Sequence, residues 1–410
     1  MKQWAFLNVL FLQFICAIAA ADPLALTGVN LAGGDFYVPR QGVRGIYNRD
    51  FWYPNAAEMD YFIGKGVNFV RIPFMWETLQ PELSKPFLSD EMQRYKAVVT
   101  LATSKGLAVL IDPHNYARHY GKIVGGAEVS DADFADFWKR LSGEFADDPR
   151  VFFGLVNEPH DMPTKQWYQA ANAAIAAIRA SGAKNLIFVP GNAYTGAFSW
   201  NAKWYGEPNA QWMPSVKDPL NYWVIEVHQY FDDNSSGTKP TVVSATIGAE
   251  RLRGFVAWAR AHKMRAVLGE FGTAASGDPN NEKTIEDMLS GMERDRDVWL
   301  GWTWWAAGPH WAEYMYTMEP KNGKDRPQMA WIAPRLHGAT MPKFSLSIKN
   351  GSGAGDVTAG EKHEIAAAPP AGMKFQKWIG DIAWLADPAS ATTTITMPFK
   401  DVDLEAVFSK

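Results

Sequence analysis

Residues 151–161 read VFFGLVNEPHD, an apolar run that stops on a glutamate set between an asparagine and a proline. Val151, Phe152, Phe153 and Leu155 have the pattern of a short buried strand, and burying a charge is costly unless it is paired or put to use. Glu158 has therefore either reached solvent in a loop or been placed as a catalytic acid at the end of a strand. The rest of the chain bears on the choice. Seven more runs of similar length recur: LALTGVNL (24–31), VNFVRIPF (67–74), LAVLIDPH (107–114), NLIFVPGN (185–192), YWVIEVHQY (222–230), RAVLGEFG (265–272) and WLGWTWWA (299–306). Between them lie helical patterns such as DADFADFWKRLSGEFA (131–146) and TKQWYQAANAAIAAIRASG (164–182). Strands alternating with helices read as parallel βαβ units. Eight such units over residues 22–340 predict an α/β fold, a closed (β/α)8 TIM barrel. The rival, an open doubly wound sheet, lacks a glycine-rich phosphate loop after its first strand.

In such a barrel the active site forms at the C-terminal ends of the strands. Polar residues fall there repeatedly: Arg71, His114, Asn157 with Glu158, His228 and Tyr230, Glu270, and Trp304 with Trp305. A set of this size on one rim argues for an enzyme. Glu158 on strand four and Glu270 on strand seven suit glycosidic cleavage, in which one carboxyl donates a proton and the other, ionised, attacks the anomeric carbon. Their surroundings must then separate their two pKa values. Arg71 is expected to keep Glu270 ionised, since a nearby cation favours the charged form. Tyr230 is placed to hydrogen-bond the same carboxylate, Asn157 to hold a sugar 2-hydroxyl, and Trp305 to lie under the reacting ring.

Taken together, GVNLAGGDF, RIPFMWETLQP, DPHNYARHY, NEPHD, VHQYFD, LGEFG and WWAAG resemble glycoside hydrolase family 5, in the branch rich in endo-β-1,4-glucanases. NEP and GEFG alone are moderately specific; the ordered set across eight strands is highly specific. The resemblance implies Glu158 as acid/base and Glu270 as nucleophile, with Arg71, His114, Asn157, His228, Tyr230 and Trp305 binding substrate around them. It also implies retention of configuration, with the carboxyl groups about 5 to 5.5 Å apart, and neither cofactor nor metal. Asp35 departs from the glutamate that relatives often carry there. A xyloglucanase or mannanase using the same machinery stays open, although NLAGGDF and MWETLQP favour glucan. A catalytically inactive carbohydrate-binding protein is the alternative from another class.

Some residues carry a plainer reading beside the functional one. His114, His160 and His228 lack metal-ligand spacing such as H-E-x-x-H. Glu77 belongs either to the cleft or to a loop it holds in place. Asp112 reads as a buried hydrogen-bonding residue. Trp302 and Trp304 alternate with strand period, so at least one should pack against helices.

The formal charge of −4 offers no basic patch for nucleic acid. Eighteen tryptophans exceed ordinary core needs, and flat aromatic faces suit sugar rings. Residues 1–21, MKQWAFLNVLFLQFICAIAAA, have the layout of a secretory signal peptide. They contain the only cysteine, Cys16, so the mature chain has no disulfide. The expectation is a bacterial protein, secreted or periplasmic, monomeric, not inserted in a membrane after signal cleavage, and acting on a polysaccharide. The sequons at Asn234 and Asn350 mean little in a bacterial host. From 342 to 410 the texture changes to short alternating strands split by Gly, Pro, Asn and Asp, a small all-β module. NGSGAGD, KWIGD and TTTITMP resemble bacterial repeat domains of surface and secreted proteins. Trp378 and Trp384 either bind polysaccharide or fill the core of so small a module, which would then be a spacer.

Overall fold

The computed structural model describes residues 22–410, so the signal-peptide reading lies outside the described residues. All eight predicted runs form strands: β1 (Leu26–Leu31), β2 (Phe69–Phe74), β3 (Ala108–Pro113), β4 (Val151–Gly154), β5 (Ile187–Pro190), β6 (Trp223–His228), β7 (Ala266–Glu270) and β8 (Trp299–Ala307). They pair in parallel, β1-β8-β7-β6-β5-β4-β3-β2, and close on themselves. Both faces of such a sheet are covered, which is why the strands read as apolar runs. The connecting helices are α1 (Ala56–Lys65), α2 (Ser89–Ser104), α3 (Asp131–Phe145), α4 (Thr164–Ala180), α5 (Asn209–Trp212), α6 (Ile247–Ala261), α7 (Pro279–Arg294) and α8 (Pro327–Ile332). Two of them, α5 and α8, are little more than a turn. The start of α3 is fixed by a capping box, in which Ser130 accepts from the Asp133 amide and Asp133 accepts from the Ser130 amide.

Strand period decides which side chains reach the barrel interior. In β6, Ile225 and Val227 pack into the layer under the helices, whereas Val224 joins the interior. Glu226 and His228 follow Val224 at two-residue steps on the same face. In β8, Trp302 and Trp304 both lie in the helix layer, leaving Trp305 in a separate cluster with Tyr230 and Tyr316.

After the barrel come β9 (Lys343–Lys349), β10 (Gly351–Ser352), β11 (Gly355–Thr358), β12 (Lys362–Ala367), β13 (Lys374–Gly380), β14 (Thr392–Thr396) and β15 (Val402–Ser409). They form a four-stranded sheet, β11-β9-β15-β13, and a three-stranded one, β10-β12-β14. This module closes the floor of the barrel, at the N-terminal ends of the strands. Leu26, Phe69, Phe152, Leu186, Phe188, Val267 and Leu300 share one continuous apolar cluster with Leu346, Ile395, Met397 and Phe399. Phe399 stands edge-on to Phe152, centroids 4.7 Å apart, and its amide donates to the Tyr222 hydroxyl at 2.7 Å. Trp384 packs against Tyr222 at 4.5 Å, and Trp378 is buried with its indole N–H on the Ser390 carbonyl. Both tryptophans are packing residues.

Phe399→Ala is expected to lower the unfolding free energy of the whole chain by about 3–5 kcal/mol, the usual cost of emptying a buried phenylalanine site. Denaturant titration followed by barrel tryptophan fluorescence measures it. A loss under ~1 kcal/mol would mean that the floor contact is not cohesive.

Candidate active site

The chain leaves β4 through Asn157 and Glu158, and Glu158 sits in the left-handed region at φ 41. A glutamate there is uncommon, and such strained positions concentrate at functional sites. The turn is held by the Asn157 amide donating to Pro113 O and the Tyr194 amide donating to Pro159 O, both at 3.0 Å. This aims the Glu158 side chain back over the barrel mouth, where it stays 15 % exposed against 6 % for Glu270.

Glu270 ends β7 and is buried between two donors. Arg71 Nη1 donates to its Oε1 at 2.9 Å, and the Tyr230 hydroxyl donates to its Oε2 at 2.8 Å. Arg71, fully buried on β2, is the hub. Its Nη1 also donates to Asn30 Oδ1 at 2.9 Å and its Nη2 to Asn157 Oδ1 at 2.7 Å. Asp112 Oδ2 lies 3.0 Å from Nη2, and Glu226 Oε1 3.0 Å from Nε. His228 stands between the two glutamates, with Nδ1 2.7 Å from Glu158 Oε1 and 3.5 Å from Glu270 Oε2. One oxygen of each glutamate and a nitrogen of this imidazole lie within 4.8 Å of one another. His114 Nδ1 reaches Asp112 Oδ2 at 2.8 Å and its Nε2 the side-chain Nδ2 of Asn157 at 3.2 Å, and its ring stacks on Trp305 at 5.2 Å and 17°. All eight sequence-predicted site residues thus belong to one cluster.

Burial pushes the Glu270 carboxyl above its ordinary value and Glu158 adds to the push, outweighing the downward pull of His228 and Arg71. The guanidinium does favour the charged form, as the sequence implies, but it does not set the net direction. Burial alone would lower the His228 imidazole; Glu270, Glu158 and Glu226 override it and raise it to about 10. Burial and the neighbouring Glu270 charge raise the Tyr230 phenol, which stays a proton donor to that carboxylate.

Two members of the cluster were not singled out from the sequence, Asn30 and Glu226. Asn30, the penultimate residue of β1, ties it to the Gly269 and Trp304 carbonyls at 3.0 and 3.1 Å. Glu226 had a signal: it interrupts the apolar run of β6 two residues before His228, so both share a face. Asp112 bears the same relation to His114, and is the buried hydrogen-bonding residue expected. Glu77 is a loop anchor, its two oxygens accepting from the Asn115 amide and the Tyr120 backbone, each at 2.5 Å. Asp35 Oδ1 accepts from the Gly33 amide at 2.8 Å. Beside Glu158, His160 stacks on Tyr194 at 4.2 Å, and Tyr194, Phe198 and Trp204 present exposed aromatic faces along the loop after β5.

Comparison with known proteins bears on the family and the fold. Residues 22–308 match the family model for cellulase (glycosyl hydrolase family 5), and 345–410 match that for a divergent InlB B-repeat domain. Endo-β-1,4-glucanase B of Emericella nidulans is 38% identical over 300 residues, 72% of this chain and 86% of that one. The solved endo-β-1,4-glucanase Xac0029 of Xanthomonas axonopodis pv. citri superposes with a TM-score of 0.74 at 43% identity, covering 77% of this chain and 100% of that chain. XacCel5A in complex with cellopentaose gives 0.74 at 44% identity, over 76% and 99%. The fold, the rim and these matches lead to one assignment: the chain belongs to the cellulases of glycosyl hydrolase family 5.

Proposed function

We propose that this chain is a secreted endo-β-1,4-glucanase that cuts internal β-1,4-glucosidic bonds of cellulose or related β-glucans by a retaining double displacement. The observation carrying the mechanism is the approach of the two carboxylates, one oxygen of each within 4.8 Å. Retaining enzymes hold their carboxyl groups about 5–5.5 Å apart, whereas inverting ones leave about 6.5–9.5 Å for a water. Glu270 attacks the anomeric carbon, and Glu158 protonates the departing glycosidic oxygen. In the second step Glu158 takes a proton from water, which displaces Glu270. Arg71 and Tyr230 fix the nucleophile's two oxygens, so attack needs little reorganisation. Asn157 is held by Arg71 and His114 where a 2-hydroxyl would sit, and Trp305 offers its face to the reacting ring. The glucan preference is supported by relatives named endo-β-1,4-glucanases and by the cellopentaose bound to XacCel5A. Secretion is supported by the sequence of residues 1–21. No helix among the described residues is long and apolar enough to cross a membrane.

The test is a panel of carboxymethyl-cellulose, mixed-linkage β-glucan, xyloglucan and glucomannan, with Glu270→Gln as the blank. Rapid viscosity loss on the first two, absent in the blank, is expected. Preference for xyloglucan or glucomannan would move the substrate and keep the mechanism; inactivity on all four would overturn the reading.

A further inference from the structure

Glu226 occupies a place that the mechanism above does not use. It is buried on β6, its Oε1 3.0 Å from Arg71 Nε and 3.5 Å from His228 Nε2. Arg71 is the cation on the nucleophile, and the opposite nitrogen of His228 meets Glu158. One carboxylate therefore stands behind both carboxyl groups of the reaction without touching either. The neighbouring strand is shaped around it. A Cβ on Gly269, immediately before the nucleophile, would come 2.3 Å from Glu226 Oε1 and 2.8 Å from its Cγ, so the glycine of LGEFG leaves the space this side chain fills.

We propose that Glu226 is a positioning residue that couples the two halves of the site, holding Arg71 toward Glu270 with the same carboxylate that keeps a proton on the Glu158–His228 pair. The inference rests on the roles given to Glu158 and Glu270 above. Its logic is charge balance. Within the barrel, Asp112, Glu226 and Glu270 surround the single guanidinium of Arg71, and their excess negative charge draws protons to the imidazoles. The groups facing the pair are Arg71 from β2, Asp112 from β3, His114 and Tyr116 beyond β3, His160 beyond β4, Tyr194 beyond β5, Glu226 from β6, Tyr230 beyond β6, and Glu270 from β7. Asp35, after β1, acts on His114. Of these, Glu226 is the one placed at His228 Nε2. A negative charge there favours Nε2–H, and raises the pH at which the proton shared across the 2.7 Å Glu158–His228 contact is lost. That proton is the one delivered to the leaving group.

The experiment is the pH dependence of kcat/KM on a soluble β-glucan for wild type, Glu226→Gln and Glu226→Asp. Removing the charge makes the shared proton easier to lose, so the basic limb of Glu226→Gln should move down by about one pH unit. Glu226→Asp should bring it back toward wild type. A side chain that merely supports the fold would scale the rate and leave the limb in place. An unmoved limb in Glu226→Gln, or the same shift in Glu226→Asp, overturns the proposal. A wild-type profile with no basic limb would instead overturn the acid role of Glu158, a separable failure. Should Glu226→Gln not fold, ¹⁵N NMR of the His228 imidazole in wild type and in Glu226→Asp decides: the shorter side chain draws the charge back from Nε2, so proton loss at a lower pH in the variant supports the proposal, and identical titration of the two proteins sinks it.

Discussion

Glu270→Gln should lower kcat on a soluble β-glucan by on the order of 10⁴-fold or more, with the fold intact. The amide cannot form the glycosyl-enzyme. Arg71 keeps its contacts to Asp112, Glu226 and Asn157, so the variant should melt within a few degrees of wild type. Circular dichroism against temperature separates lost chemistry from lost structure. The wild-type acidic limb belongs to the same experiment. The nucleophile works only when ionised, and burial raises its pKa above the ordinary 4.5. Activity is therefore lost as pH falls through a value above 4.5, earlier than an exposed glutamate would dictate. Near-normal turnover in Glu270→Gln would end its assignment as nucleophile.

Glu158→Gln is expected to behave differently, and the difference identifies its role. On a polysaccharide, whose leaving oxygen needs a proton, the loss should be on the order of 10²–10⁴-fold. On an aryl cellobioside with an acidic phenol, the first step needs no proton and should survive. The second step, lacking its base, should slow, giving a burst of phenol followed by a low steady rate. Azide, a nucleophile that needs no base, should lift that rate and leave a β-glycosyl azide. Equal loss on both substrates with no azide effect would remove Glu158 from the acid/base role.

The barrel was legible because every strand carries the same signature, an apolar run with a polar residue at its C-terminal end. Arg71, His114, Glu158 and Glu270 could be placed on one rim for that reason alone. Asn30 escaped because a single sequence does not say how β1 faces its neighbours across a closed sheet, whereas Glu226 carried a signal, its two-residue offset from His228, that went unread. The left-handed backbone at Glu158 was equally hidden. Glutamate has no preference for it, and what imposes it are hydrogen bonds from the ends of β3 and the loop after β5. Nor could the net direction of the Glu270 shift be read from the presence of Arg71, because burial depends on residues gathered from the whole barrel. The module's strands announced themselves by alternation, but Trp384 finds its partner in Tyr222, far back along the chain.

The way the module meets the barrel has a consequence for its independence. Domains strung on flexible linkers can be shuffled freely, since neither depends on the surface of the other. Here Phe399 and its neighbours complete a hydrophobic layer begun by Leu26, Phe69 and Phe152. The solved xanthomonad relatives align with about three quarters of this chain over almost their full length, without a counterpart for the remainder. Cutting the module away from this chain would uncover that layer, leaving Leu26, Phe69, Phe152 and Phe188 without their apolar partners. A substitution at this seam therefore bears on both parts of the chain, at the end of the barrel opposite the carboxylate cluster.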